Sequence, residues 1–437
     1  MTGEQTRLDY GCQIYSSACK SKLQELDVVH NMGLRICSGA FRTSPVESIY
    51  VDTHQLPLDL RREELGLRYV VRVQSSPENP SNKLIGQTLS INYKVNSKPF
   101  QVRLKEQLGN QDLLNQKIQP VTFSNHPPWL APPVVCCSTS ISKKNSPPEQ
   151  VRARFLEHDR QHAEDFKIYT DGSKSDEGVG CAIVTREQSG LARLADAASS
   201  FTAELTAIVH ALKQISNTRA KNFVIYTDSK SSIDAICKFD NFHPLVRKAQ
   251  EWLYLISSRF KSVCFCWVPA HVGIRGNELA DIEAKSAIAS TTIDLPSIPH
   301  LDLYRSIKSY IWQKWQGRWS SPLLTNNKKY KSIRPNVFLW PSVFHPHRRT
   351  EVILCRLRIG HTYATHKFLL QGSIAPECAH CDCQLSVEHI LVQCPFYETK
   401  RRRYGLAGKP ISAILGEGVD IPNLIGYLKD IKLYYEF

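Results

Sequence analysis

The spacing of apolar residues changes several times along this chain. Up to about residue 75 it is helical: stretches 22–35 and 58–71 place apolar side chains three and four apart, with basic faces between them. That pattern predicts amphipathic helices. From 76 to about 160 the period is lost. Pro127-Pro128, Pro132-Pro133 and Pro147-Pro148 punctuate a Ser- and Asn-containing stretch that reads as a partly extended linker. From 166 onward, short β-branched and aromatic runs alternate with helical stripes. The runs predict strands at 166–170, 178–184, 191–197, 223–227 and 263–268. The stripes predict helices opening at 203, 231, 244 and 276, the first of them capped by Thr202. Strands and helices in that order mean an α/β fold with a mixed sheet. After 292, Tyr304, Ile307, Ile311, Trp315 and Trp319 recur at helical spacing, with Trp312 beside them. Such an aromatic stripe is more often core than a surface on which bases stack.

A chain of 437 residues has room for two or three domains, and 42% hydrophobic content is ordinary for globular protein. Charge changes the picture more. The 55 Lys and Arg against 41 Asp and Glu give +14, a balance suited to neutralising phosphates on a polyanion, though an ordinary basic protein shares it. No apolar run approaches the ~18 residues of a membrane span. Residues 1–7 lack the apolar core of a signal peptide. The expectation is a soluble, intracellular protein whose fourteen Cys are reduced thiols or metal ligands rather than a disulfide framework.

The candidate chemistry lies within 166–281. Ile168-Tyr169-Thr170-Asp171 recurs letter for letter as Ile225-Tyr226-Thr227-Asp228. Each copy ends a predicted strand, so each delivers an aspartate at a strand's carboxyl end. On neighbouring strands the two carboxylates would stand at one level of the sheet. Like charges so placed raise each other's pKa unless a cation lies between them. Glu204 lies one turn before Ile208, at the edge of the stripe Leu205, Ile208, Val209, Leu212 and Ile215, which should face the sheet. A further helix opens at Gly276-Asn277-Glu278-Leu279-Ala280-Asp281, with Asn277 and Asp281 on one face. Taken singly, each has a plainer meaning: Asp171-Gly172 is a turn dipeptide, Asn277 an N-cap, His271 a loop histidine. Further on, Cys378-(x2)-Cys381-(x7)-His389-(x4)-Cys394 sets four soft ligands between Pro376 and Pro395. That spacing suits tetrahedral structural zinc, with Cys383 and His380 as substitute ligands.

Together, Tyr169-Thr170-Asp171-Gly172-Ser173, Thr202-Ala203-Glu204-Leu205, Tyr226-Thr227-Asp228-Ser229 and His271-Val272-Gly273-(x2)-Gly276-Asn277-Glu278-Leu279-Ala280-Asp281 resemble a type 1 ribonuclease H domain, with all four blocks in the family's order. The resemblance implies a ribonuclease H-like mixed sheet flanked by helices. It also implies hydrolysis of the RNA strand of RNA–DNA hybrids with two Mg²⁺ ions, for which Mn²⁺ can substitute. By match to the family's blocks, Asp171 would bridge both ions, Glu204 and Asp228 would hold one, and Asp281 the other. His271, on a mobile loop, would shuttle protons or help release product. Gly172, Ser173, Ser229 and Asn277 would lie near the RNA strand, whose 2′-hydroxyl distinguishes it from DNA. The extra basic helix that some cellular relatives use to grip hybrid is missing, because the 244 helix follows its predecessor closely.

The two ends resemble parts of non-LTR (jockey-like) retrotransposon reverse transcriptases. Arg35-Ile36-Cys37-Ser38-Gly39-Ala40 with Thr43-Ser44-Pro45-Val46 is similar to the stretch after the polymerase palm, and Glu388-His389-Ile390-Leu391 with Cys394-Pro395 to the C-terminal knuckle. No Asp-Asp dipeptide occurs, so the paired-aspartate turn of a working polymerase is lacking. The chain then looks like the downstream part of a longer element protein, or a truncated copy of one. The expected organisation is a helical module over 1–125, a Pro-rich linker over 126–160, a ribonuclease H domain over 161–292 and a basic helical region over 293–437 bearing the zinc knuckle at 378–394. The runs Lys328-Lys329-Tyr330-Lys331 and Lys400-Arg401-Arg402-Arg403 offer phosphate contacts to hybrid or to other nucleic acid, and no membrane partner is expected. The rival reading is a catalytically silent nucleic-acid-binding remnant. An integrase or resolvase on the same fold fits less well, because Glu204 falls between the two strand aspartates instead of last.

Overall fold

The β-branched runs assemble into one sheet. The computed structural model describes residues 7–86, 102–103, 116–121, 134–137, 147–324, 327–339 and 345–437. The strands of that sheet are β1 (Val135–Cys137), β2 (Phe166–Ser175), β3 (Gly178–Val184), β4 (Ser189–Leu194), β5 (Asn222–Thr227) and β6 (Ser262–Trp267), while Lys117–Ile118 and Ser297–Ile298 pair in parallel as a separate two-stranded sheet. The six strands lie in the order β1-β6-β5-β2-β3-β4. The pairs β1–β6, β6–β5 and β5–β2 are parallel, whereas β2–β3 and β3–β4 are antiparallel. The fold is therefore α/β with the mixed sheet that the sequence implied.

Two strand boundaries differ from expectation. β2 pairs with β5 only over 166–170, then continues alongside β3 to Ser175, so Asp171 lies inside a strand rather than at its end. β4 begins earlier than 191, because Thr185 closes a tight turn on the Gln188 carbonyl and sets Val184 opposite Ser189. Hairpin register overrides the local hydrophobic cue.

The helices between 148 and 288 are α1 (Pro148–Gln161), α2 (Ser200–Asn217), α3 (Lys230–Ile236), α4 (Pro244–Ser257) and α5 (Arg275–Ile288). Ser199, not Thr202, caps α2: its hydroxyl oxygen accepts from the Thr202 amide. Asp302 settles the choice by accepting from both the Ser199 amide and hydroxyl. Alternate strand residues bury on opposite faces. Ile168, Ile225 and Phe265 pack under Leu205, Ile208 and Leu212 of α2 and Val246 and Leu253 of α4. On the other face Val224, Tyr226 and Cys266 pack with Val151 and Phe155 of α1. Covering both faces explains why β5 and β6 read as nearly unbroken apolar runs.

The stretch 126–160, expected as a linker, thus supplies an edge strand and a helix to this unit. α1 escaped notice because only Val151 and Phe155 of its fourteen residues are buried, too few to show a stripe. Cys264 is disulfide-bonded, against the expectation of reduced thiols throughout. The adjacent pair Cys136-Cys137 lies on β1.

The described residues divide into two units, the sheet unit drawing on 67–86 and 103–307 and the other on 7–66 and 308–437. Residues 7–66 and 308–437, expected as parts of separate modules, share that second unit. Lys20–Ser38 and Leu58–Gln74 are helical as the spacing predicted, and Val46–Asp52 forms a further short helix. The Tyr330 hydroxyl donates to buried Asp52 at 2.8 Å, and Lys314 pairs with Glu63 at 2.7 Å. Trp315 and Trp319 are fully buried, with Trp315 edge-on to Tyr50 and Trp319 edge-on to Tyr330. The aromatic stripe is core. The Lys400–Arg403 run is mostly paired as well: Lys400 and Arg403 reach Asp430, while buried Arg401 and exposed Arg402 bond Glu398.

Candidate active site and metal centre

The parallel register Thr170↔Thr227 sets Asp171 and Asp228 on adjacent strands, each one residue past the last pair. The Trp267 indole donates to the Asp228 carbonyl at 2.9 Å and ties the end of β5 to β6. Glu204 arrives from the second turn of α2. It can do so because Gly172 has no side chain: a Cβ there would collide with the Glu204 amide and Ala203. Carboxylate oxygens of Asp171, Glu204 and Asp228 then lie within 4.8 Å of one another.

Electrostatically this cluster is uncomfortable. Asp171 is buried, and Glu204 Oε2 is buried with no hydrogen-bond partner. Burial first, then the charges of Asp228 and Asp281, push Asp171 up to about 7. Burial, then Asp171 and Asp228, hold Glu204 well above the usual carboxylate range. The Gly172 backbone opposes both shifts only in part. A divalent cation among these oxygens would remove the repulsion and satisfy the orphaned oxygen. An all-oxygen donor set suits a hard ion such as Mg²⁺.

Asp281, on α5, is not among the three gathered acids; its carboxylate accepts from Lys285 at 2.7 Å. It is still near enough to raise both Asp171 and Glu204. Sequence reading missed Lys285, whose signal was its position four residues after Asp281. Asn277 is buried inside α5, with Oδ1 unpartnered, and Ile274 rather than Asn277 is the N-cap. Ser229 is buried and its hydroxyl bonds Ser232 at 2.7 Å, so it serves the start of α3. Gly172 and Ser173 are half-buried on β2. His271 is exposed at φ 57, followed by Gly273 at φ 79.

Gly172 offers an early test. Gly172→Ala should lower cleavage at least about tenfold, by pushing the first turns of α2 off β2 and opening the acid cluster, and should cost about 1–3 kcal/mol of stability by overpacking. Melting curves and turnover of the purified variant check both. Wild-type values would show that α2 has room to give.

In the second unit Cys378, Cys381, His389 and Cys394 offer one ligand atom each, all within 4.8 Å of one another. Two backbone devices gather them. The Cys378 amide bonds the Cys383 carbonyl at 2.8 Å and the Cys381 amide bonds the Cys378 carbonyl at 3.3 Å, curling 378–383 into a knuckle. His389–Gln393 then forms a π-turn closed by the Cys394 amide on the His389 carbonyl at 2.8 Å. That five-residue step presents His389 and Cys394 to the same point. Cys383 stands 3.5 Å from His389 Nδ1 but outside the set of four. Three thiols and an imidazole fit structural zinc.

Fold and site thus define an α/β domain with clustered carboxylates, and the second unit carries a Cys₃His group. Residues 163–289 match the RNase H family model. This stretch is a ribonuclease H domain, which supports ribonuclease activity on RNA–DNA hybrids. None of the curated proteins matches the chain.

Proposed function

We propose that the domain, spanning 161–292, is an endoribonuclease that cuts the RNA strand of RNA–DNA hybrids with two divalent ions, Mg²⁺ ordinarily. The observation that carries this reading is the set of three mutually repelling carboxylates, Asp171 buried and Glu204 and Asp228 half-buried, in a stretch matching the RNase H model. Asp171, Glu204 and Asp228 would hold the metal, with Asp281 completing the set from α5. Bound there, the ions would supply an activated water and neutralise charge at the scissile phosphate. The chain's own residues do the rest. β2 and β5 fix the level of the two aspartates, Gly172 admits Glu204, and Lys285 holds the Asp281 carboxylate. His271 would carry protons or assist release of product. The wording at 35–46 and 388–395 supports an origin in a non-LTR retroelement protein. The knuckle would hold zinc through Cys378, Cys381, His389 and Cys394.

Labelled RNA–DNA hybrid in Mg²⁺, beside duplex DNA and duplex RNA, tests the activity. Cutting of the RNA strand in the hybrid alone is the expected result. Hybrid bound but uncut by folded protein would make the chain a nucleic-acid-binding remnant, and cutting of duplex DNA would revive an integrase or resolvase.

A further inference from the structure

The loop bearing His271 is gripped by a helix outside the matched stretch. α1 ends at Gln161, before residue 163. The guanidinium of its Arg152 donates to the Val272 carbonyl at 3.3 Å and covers Gly273, filling the space a Cβ there would need. Left-handed backbone at His271, which carries a side chain, and at Gly273 persists only where the surroundings hold it. The surroundings here are specific. The Gly273 amide donates to the Glu278 carboxylate at 2.9 Å. Val272 and Ile274 are buried in one apolar cluster with Val151 and Phe155 of α1. His271 itself is exposed, so its place is set by the backbone beneath it rather than by packing of its ring.

We propose that Arg152 is a positioning residue for His271. By fixing the Val272 carbonyl and closing over Gly273, it keeps the imidazole in one place relative to the acids and the bound strand. The ribonuclease unit of this chain therefore includes α1 as a working part. The proposal rests on His271 acting in turnover. A lysine at 152 could reach the carbonyl but would not cover Gly273 with a plane, so it should replace arginine only in part.

The test uses the full chain and the variants Arg152→Ala, Arg152→Lys, His271→Ala and the Arg152→Ala/His271→Ala double. Arg160→Ala, on the same helix, is the control for lost positive charge. Hydrogen exchange at the 270–274 amides and steady-state cleavage of hybrid are the readouts. Arg152→Ala should speed exchange in the loop at unchanged melting temperature. It should also lower kcat about tenfold with KM within about twofold. Arg152→Lys should recover part of that loss and Arg160→Ala should show none of it. Added to His271→Ala, Arg152→Ala should cost little more, since both act through one group. Unchanged loop exchange would overturn the proposal, as would independent, multiplying losses in the double variant. A raised KM in Arg152→Ala and Arg160→Ala alike would show phosphate contact instead. If His271→Ala leaves turnover intact, the role of His271 is what fails, and the positioning proposal falls with it.

Discussion

Asp228→Asn should lower hybrid cleavage by on the order of 10³ and, in chelator, make the protein more stable rather than less. Both follow from one cluster. Asp228 is among the charges that raise Asp171 and Glu204, so a neutral amide of the same shape removes repulsion and a metal ligand together. The sign of the pH dependence follows from the raised pKa. Asp171 titrates near 7 in the folded protein, against an ordinary 3.8. Its stabilising contribution is fully present below about pH 4 and is lost as pH rises through about 7. A shift of that size involves on the order of a few kcal/mol. Metal-free wild-type protein should therefore melt lower at pH 8 than at pH 5, with a smaller drop in Asp228→Asn. Mg²⁺ should raise the melting temperature more at pH 8, where the carboxylates are ionised, than at pH 5. Scanning calorimetry across pH in chelator and in Mg²⁺ measures all of this. A metal-free protein that gains stability from pH 5 to 8 would be incompatible with a strained acid cluster.

Cys394→Ser should open the knuckle and destabilise the core beneath it. The π-turn that carries His389 and Cys394 also places Ile390 and Leu391, which are fully buried with Ile353, Leu415, Leu424 and Tyr427. The Tyr427 hydroxyl donates to the Ile390 carbonyl at 2.7 Å. Loss of the site therefore does not stay local. Zinc held by three thiolates and an imidazole contributes on the order of 10 kcal/mol in small knuckle-like domains. Here a preformed core should reduce that to several kcal/mol, a fall in melting temperature of about 5 °C or more. Chelation of the purified protein should reproduce the shift, and zinc should reverse it. Cys383→Ser, outside the set of four, should shift melting by less than half as much. Equal effects at 383 and 394 would make Cys383 a ligand, and no effect of chelation would mean that packing alone holds the knuckle.

The amino-acid sequence by itself determined the local parts. Short β-branched and aromatic runs located β2, β5 and β6, and helical spacing located α2, α4 and α5, because burial of these elements is written in their own residues. The repeated Ile-Tyr-Thr-Asp phrase implied two aspartates at one level, and parallel pairing of β2 with β5 supplies that level. The Cys-His spacing implied one site, because its four ligands fall within a short span. What depended on contacts distant in the chain was decided only by the tertiary structure. Asp302 selects Ser199 over Thr202 as the cap. α1 and β1 emerge from a Pro-rich stretch because the sheet has a face and an edge to cover. The chain termini share one unit through pairs such as Asp52–Tyr330, whose partners are 278 residues apart. Gly172 as a seat for Glu204 and Arg152 over Gly273 belong to the same class. Each is a meeting of groups whose local sequence carries no record of the partner.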